Sequence, residues 1–179
     1  MKSSLLVLAL LVGPTLPALA AAVSCPDLGK AEGQCRAHEP GPAFLIDVDG
    51  LKDRQGQLKL ELYPAAERDF LADDNILLSQ GKTFRRVEVP VPQTGVPRLC
   101  IRAPAPGAYA LMLLHDRDSN HKLTISKDGL GFSNNPRLGW SKPRAATVSV
   151  QASAGITELR ILMNYNQGFY TFRPLREPD

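Results

Sequence analysis

The sequence predicts an all-β fold, a single β-sandwich of the immunoglobulin or transthyretin type with about seven to eight antiparallel strands. Three observations lead to this prediction. Apolar and polar residues alternate along several segments, which is the period of a strand with one buried face. Turns rich in the 15 prolines and 14 glycines separate these segments. Helical periodicity is scarce, so we expect only one short helical segment, near residues 65–78.

The strands follow from the alternation in chain order. The first three carry the apolar sets Phe44, Ile46 and Val48, then Leu58, Leu60 and Leu62, then Val87, Val89 and Val91. Further strands are expected at residues 97–102, 108–115, 146–151, 157–165 and 168–173. The run at 108–115 is apolar at nearly every position, so both its faces should be covered and it should lie at the centre of a sheet.

Composition and terminal patterns divide the chain into a signal peptide (1–22), an irregular N-terminal arm (23–42), a β-sandwich domain (43–173) and a polar tail (174–179). The signal peptide has a basic Lys2, a short apolar run and small residues before two cleavage points, after Ala20 or after Ala22. An uncleaved, anchored form is the less favoured alternative. The apolar run is far shorter than the ~20 residues of a membrane span. We therefore expect an exported protein, periplasmic or secreted, with no membrane span.

The charge pattern argues against nucleic-acid binding. The formal net charge is +3, and the 21 basic residues are spread among 18 acidic ones instead of forming a stripe. A length of 179 residues fits one domain with a sizeable core.

Three cysteines in an exported chain suggest one disulfide and one remaining thiol. In the predicted strand at residues 97–102, the neighbours of Cys100 face the core of the domain. The sulfur of Cys100 should therefore point outward, where the N-terminal arm could bring Cys35. Pairing of Cys35 with Cys100 is favoured over pairing of Cys25 with Cys35. Lipid attachment at Cys25 is the minor alternative, because Ala22 replaces the large aliphatic residue of a lipobox.

Alternating oxygen-bearing side chains after the central strand raise the hypothesis of a calcium site. The predicted ligands are Asp116, Asp118, Asn120, a backbone carbonyl near Lys122, and Asp128. Their spacing follows the start of an EF-hand loop, but His121 replaces the sixth-position glycine and Lys127 replaces the closing glutamate. The alternative is a loop whose Asp and Asn side chains cap their own backbone. Transition-metal binding by His115 and His121 together with Asp116 is another alternative.

The glycine-rich stretch DGLGFSNNPRLGW, residues 128–140, combines aromatic, amide and guanidinium groups that suit sugars or peptides. The predicted ligand-binding residues, with the histidine that ends the central strand, are His115, Phe132, Asn134, Asn135, Arg137 and Trp140. The alternative is that the aromatic residues pin a long loop onto its own domain.

No nucleophile elbow, zinc-protease motif, P-loop or dinucleotide fingerprint occurs in the chain. Ser133 lies near His115 and Asp116 in sequence, but proximity in sequence does not establish a catalytic triad. We therefore predict an exported, non-catalytic binding or accessory module that uses the loops at 115–140, with a small-molecule, glycan or protein partner. The alternatives are a secreted hydrolase-type enzyme and a calcium-stabilised structural domain.

The runs PGAYALMLLHDRDSNHKL, GLGFSNNPRLG and ITELRILMNYNQG resemble a family of exported bacterial proteins, the domain of unknown function 2141 family. The resemblance covers roughly residues 43–173. It implies an exported β-sandwich with no established activity. Members typically carry D-x-N-G-N-G-K after a His-Asp pair, whereas here Ser119 and His121 occupy the two glycine positions.

Overall fold

A computed structural model describes residues 27–169 and 171–175. Within these ranges the chain forms ten strands and three short helices. In chain order they are α1 (Lys30–Gly33), β1 (Ala43–Asp49), β2 (Gln57–Pro64), α2 (Asp74–Ser79), β3 (Arg85–Pro90), β4 (Arg98–Arg102), β5 (Gly107–Asp116), β6 (Gly129–Phe132), α3 (Ala145–Val148), β7 (Ser149–Ala152), β8 (Ile156–Leu162), β9 (Asn164–Asn166) and β10 (Phe172–Arg173). The predicted signal peptide, Cys25 and residues 176–179 of the predicted tail lie outside the described residues.

The strands form two sheets, as the prediction of a β-sandwich requires. The smaller sheet has the order β4-β1-β8, and the larger has the order β10-β9-β6-β5-β2-β3, with β7 also paired to β5. Strand β5 pairs with β2 along one edge and with β6 and β7 along the other. Its predicted central position is thereby confirmed. All pairs are antiparallel except β1 with β8, which run parallel.

The main core lies between the two sheets and follows from the period of two. The alternate apolar residues of β1 and β2, including Phe44, Ile46, Leu58 and Leu60, are fully buried against Leu111 of β5. A second apolar cluster covers the outer face of the larger sheet, and it consists of Tyr63, Phe70, Leu77, Phe84, Ala110, Phe132, Ala145 and Val148. Strands β2 and β5 are therefore buried on both faces.

The N-terminal arm is pinned to the edge of the sandwich. The predicted disulfide is confirmed, since Cys35 and Cys100 are bonded with their Cα atoms 5.9 Å apart. Upstream, the Arg86 backbone N–H donates to the Gly29 carbonyl (3.1 Å), and Lys30 Nζ pairs with Glu88 Oε2 at 2.7 Å. The arm contains α1, so it is less irregular than the sequence predicts.

The helical prediction near 65–78 corresponds to a helical turn at 66–70 followed by α2, which begins after the capping residue Asp73. The Asp73 carboxylate accepts a hydrogen bond from the Asn75 backbone N–H at 3.0 Å. Within the described ranges, no helix has both the length and the apolar character needed to cross a bilayer.

Three predicted strands differ from the structure. The segment 146–151 begins in α3, because Ala145 and Val148 are both buried one helical turn apart. The segment 157–165 is divided at Met163 into β8 and β9, and among the described residues of the segment 168–173 only β10 is a strand.

Strand β6 lies within the glycine-rich stretch that the sequence suggests is a loop. A Cβ atom at Gly129 would lie 2.5 Å from the Tyr165 ring, and one at Gly131 would lie 2.5 Å from Ile161. Glycine is required there for close packing between neighbouring strands, and it leaves no hydrophobic alternation to detect.

Candidate functional site

The loop that follows β5 is organised around Asp116, which is fully buried. Its Oδ1 accepts a hydrogen bond from the Asn120 backbone N–H (3.2 Å), and its Oδ2 accepts one from the His121 backbone N–H (2.8 Å). Gln57 Nε2 also donates to Oδ2 at 3.0 Å. Asp116 thus closes the loop by capping its backbone, as a carboxylate does in an Asx turn.

Asp128 has the same role at the other end of the loop. Its two carboxylate oxygens accept hydrogen bonds from the backbone N–H groups of Arg117 (2.9 Å) and Thr124 (2.6 Å). Asn120 Oδ1 likewise accepts from the Lys122 backbone N–H at 2.8 Å.

The structure brings three of the predicted calcium ligands together. One carboxylate oxygen each of Asp116, Asp118 and Asp128 lies within 4.8 Å of the others. A cation from the chain itself adjoins this group, because Lys127 Nζ lies 3.0 Å from Asp118 Oδ2. The amide oxygen of Asn120 is directed to backbone capping instead.

The backbone of this loop is strained at two non-glycine residues. Ser119 has a φ of 53° and His121 has a φ of 63°, both in the left-handed region that favours glycine. The His121 ring is half-exposed, and its Nδ1 lies 3.1 Å from Gln57 Nε2 and 3.4 Å from Glu88 Oε1. The two hydrogen bonds accepted by Asp116 hold the backbone of this segment in place.

His115 is fully buried and belongs to a separate chain of hydrogen bonds. Its Nε2 lies 2.8 Å from the Gln55 carbonyl, which can only accept, so Nε2 carries the proton of the neutral ring. Nδ1 therefore accepts from the Tyr165 hydroxyl (2.7 Å), which in turn accepts from the Lys52 backbone N–H (2.9 Å). His115 thus tethers the 50–56 connection to the sheet.

Burial changes the pKa of both rings in this chain. Loss of hydration lowers the pKa of His115 below its ordinary value and raises the pKa of Tyr165 to about 12. Both groups are therefore neutral at pH 7.

Ser133 does not join His115 and Asp116. It follows β6 opposite Leu111, four residues before His115 along β5, a separation of about 13 Å at the rise of a strand. Its buried Oγ accepts from the Leu111 backbone N–H (3.1 Å) and donates to the Val148 carbonyl. The hydroxyl links β5 to α3 and is not presented to solvent.

The predicted ligand-binding residues divide into buried residues, asparagines whose amides anchor a loop, and residues with exposed side chains. Phe132 is buried, with its ring centroid 6.0 Å from that of Phe70. Asn134 Nδ2 donates to the carbonyls of Thr147 (3.1 Å) and Ser149 (2.8 Å), so its amide anchors the loop.

Asn135 anchors the same loop to β8. It donates from Nδ2 to the Arg160 carbonyl (3.0 Å) and accepts at Oδ1 from the Leu162 backbone N–H (2.8 Å). Trp140, in contrast, is 82% exposed.

Arg137 lies in a surface groove of about 600 Å³, the size of many small-ligand sites. We call it the arginine groove, and it is lined by residues 135–138, by residues 172–175, and by Leu162, Asn164 and Gln167. Half-buried Leu138, Leu162 and Phe172 supply apolar surface. Among the described residues that line the groove, none is acidic.

Two guanidinium groups of the arginine groove, those of Arg137 and Arg173, are exposed. Neither forms an ion pair with any residue in the described part of the chain, although twelve ion pairs of other lysines and arginines occur in it. Within residues 27–169 and 171–175, these two positive charges of the groove therefore have no acidic partner.

Two amide oxygens of the groove also accept no hydrogen bond within residues 27–169 and 171–175. Asn164, which is 7% exposed, donates from Nδ2 to the carbonyls of Leu130 and Leu162 and leaves Oδ1 without a donor. Gln167 donates from Nε2 to the carbonyls of Arg173 and Pro174 and leaves Oε1 without one. The polar groove residues Asn164, Gln167 and Arg173 are not predicted from the sequence, because they lie in or beside predicted strands.

Residues 46–160 match the profile of a family described as "Uncharacterized protein conserved in bacteria (DUF2141)". No curated protein and no solved structure shows significant similarity to the chain.

Proposed function

The chain belongs to the DUF2141 family of uncharacterized bacterial proteins, and from this premise we propose that it is an exported, non-catalytic binding module that holds an anionic ligand in the arginine groove. One observation carries the proposal. Arg137 and Arg173 line the same groove, and within the described residues neither has an acidic partner.

Physical chemistry favours an anion at this position. A guanidinium forms charge-assisted hydrogen bonds with carboxylates, and these are about twice as strong as bonds between neutral groups. The apolar residues of the groove lower the local dielectric and strengthen the attraction. An anionic ligand with an apolar portion would therefore satisfy both kinds of surface.

The non-catalytic part of the proposal is supported by the positions of Ser133, His115 and Asp116. Each of the three is buried and bonded to its own scaffold, and Ser133 is remote from the other two. Of the loop region 115–140 that the sequence predicts for binding, only residues 135–138 line the proposed site.

Export is supported by the signal-peptide pattern of residues 1–22 and by the Cys35–Cys100 disulfide, which fits an oxidising compartment. Intact mass of the protein recovered from the periplasm tests this part. We expect a chain beginning at Ala21 or Val23, and a mass that includes Met1 would contradict export with cleavage.

The binding proposal is tested by isothermal titration of the mature protein with citrate, a small polycarboxylate. We expect binding that weakens as salt is added and that weakens by about tenfold in each of the variants Arg137→Gln and Arg173→Gln. Arg144→Gln is the matched control, because Arg144 is an exposed arginine outside the groove. Equal affinity in all four proteins would contradict the proposal.

A second candidate function is a calcium-stabilised structural domain. The observation that favours it is the convergence of Asp116, Asp118 and Asp128 within 4.8 Å. Carboxylate oxygens are the preferred ligands of calcium in proteins. The adjacent Lys127 would have to move away for an ion to bind, so we expect only weak affinity.

A further inference from the structure

We propose that the ligand of the arginine groove is an acidic peptide segment of a partner protein, an inference that rests on the proposed function. Charge gives the first reason. Within the described chain, the groove has two arginines without an ion-pair partner and no acidic lining residue. A ligand with more than one carboxylate would therefore complement its charge. A segment containing two or more Asp or Glu residues provides them.

Hydrogen bonding gives the second reason, and it separates a peptide from a simple anion. Asn164 is more than nine-tenths buried and lines the groove, yet within the described residues its Oδ1 has no donor. Its orientation is fixed by the two hydrogen bonds that Nδ2 donates. Gln167, which is exposed, also donates from Nε2 to two backbone carbonyls and leaves Oε1 without a donor among the described residues.

Both oxygens are accessible to solvent in the free protein. A ligand that covers them must supply N–H or O–H donors in place of water, because an acceptor that is buried without a partner costs free energy. Citrate or phosphate at neutral pH offers mainly acceptors, whereas every residue of a peptide except proline offers a backbone N–H. A peptide therefore matches the combination of two cationic donors with two amide acceptors.

The apolar lining gives the third reason. Leu138, Phe172 and Leu175 contribute hydrophobic surface beside the charged groups, and Leu175 is 45% exposed. Large apolar side chains of a peptide would cover this surface and remove it from water. The preferred segment therefore combines acidic and large apolar residues.

An anionic membrane is the competing partner, because Trp140 and Phe169 are exposed aromatic residues close in sequence to the groove. A bilayer surface would contact protruding tips, whereas the unpaired amide oxygens lie in a concave site. The groove is therefore better matched to a peptide.

The test uses the mature protein and a short acetylated, amidated peptide in which glutamate alternates with leucine. Three further probes are the same peptide with glutamine in place of glutamate, the glutamate peptide with N-methylated backbone amides, and citrate. Vesicles of phosphatidylglycerol are a fifth probe. Binding of the peptides and citrate is measured by isothermal titration, and binding of vesicles by co-sedimentation.

We expect the glutamate peptide to bind more tightly than citrate and more than tenfold more tightly than the glutamine peptide, which lacks the charge-assisted bonds. Arg137→Gln and Arg173→Gln should each weaken it about tenfold, while Arg144→Gln should have no effect. Loss of the backbone N–H donors should weaken the N-methylated peptide about fivefold.

The outcomes distinguish the inference from the proposed function. If citrate binds in an arginine-dependent way but the glutamate peptide binds no better, or if N-methylation has no effect, the inference is wrong and the proposed function stands. Vesicle binding without peptide binding also overturns the inference. If neither citrate nor peptide binds, both proposals are wrong.

Discussion

Lys127 Nζ lies 3.0 Å from Asp118 Oδ2, so a lysine ammonium is adjacent to the three carboxylates that could hold a calcium ion. The lysine occupies the twelfth position counted from Asp116, where a calcium loop has its closing glutamate. Calcium must compete with this internal cation. The Lys127 side chain is 57% exposed, so it can turn away into solvent.

We predict that millimolar calcium raises the melting temperature of the wild-type protein slightly and that of Lys127→Gln more. Removal of the competing charge increases affinity, and a ligand that binds only the folded state stabilises it by RT ln(1 + [L]/Kd). Asp118→Ala should abolish the effect, while Lys122→Gln serves as a control near the cluster. Superimposable melting curves in calcium and in chelator, for both the wild type and Lys127→Gln, would rule out the site.

A second prediction concerns the strained loop backbone. Ser119→Gly should stabilise the protein by about 1 kcal/mol, because relief of the left-handed conformation outweighs the extra entropy of glycine in the unfolded chain. Urea unfolding measures the change. Ser141→Gly is the matched control at an exposed serine outside the positive-φ region, and it should destabilise slightly. A loss of stability in Ser119→Gly would contradict the strain argument.

The disulfide that pins the N-terminal arm supports a third prediction. Replacing Cys35 and Cys100 together by alanine should lower the free energy of unfolding by about 4 kcal/mol, since the bond closes a loop with a sequence separation of 65 residues. Equilibrium unfolding of the oxidised wild type and the double variant measures the difference. Peptide mapping without reductant is the control for connectivity, and finding Cys25 bonded to Cys35 would contradict the structure.

The buried His115 makes stability depend on pH. Burial lowers the pKa of His115 below 6.5, so near pH 6 the unfolded chain binds more protons than the folded one. The contribution of a neutral His115 is fully present above about pH 6.5 and is lost as the pH falls through the pKa of the folded state.

We therefore predict that the free energy of unfolding declines from pH 7 to pH 5 more steeply in the wild type than in His115→Gln. The comparison uses slopes, so it holds even if the variant is less stable at every pH. Equal slopes in the two proteins would show that His115 does not titrate differently on folding.

Local pattern was sufficient for the parts of the fold that depend on the period of a strand. Alternation placed Cys100 on the outer face of β4 and thereby pointed to Cys35 as its partner. The apolar run of β5 indicated its central position. Alternation does not predict β6. Gly129 and Gly131 are required there because Tyr165 and Ile161 approach them closely, and glycine has no apolar side chain to contribute to a hydrophobic pattern.

The arginine groove could not be derived from local pattern. Arg137 and Arg173 are 36 positions apart, and two non-local features place both in one groove. Asn135 ties its loop to β8 through Leu162, and β10 returns antiparallel to β9. The sequence predicts Arg137 as a ligand-binding residue because aromatic and amide residues lie beside it. The second charge, that of Arg173, reaches the same groove only through the fold.

The most direct test of the proposed binding site is a map of amide chemical-shift changes in ¹⁵N-labelled mature protein during titration with citrate. We predict that the shifted amides cluster at residues 135–138, 162–167 and 171–175, and that the changes disappear in a variant carrying both Arg137→Gln and Arg173→Gln. Changes centred on the loop at residues 117–127, or no saturable change at any residue, would contradict the assignment of the arginine groove as the binding site.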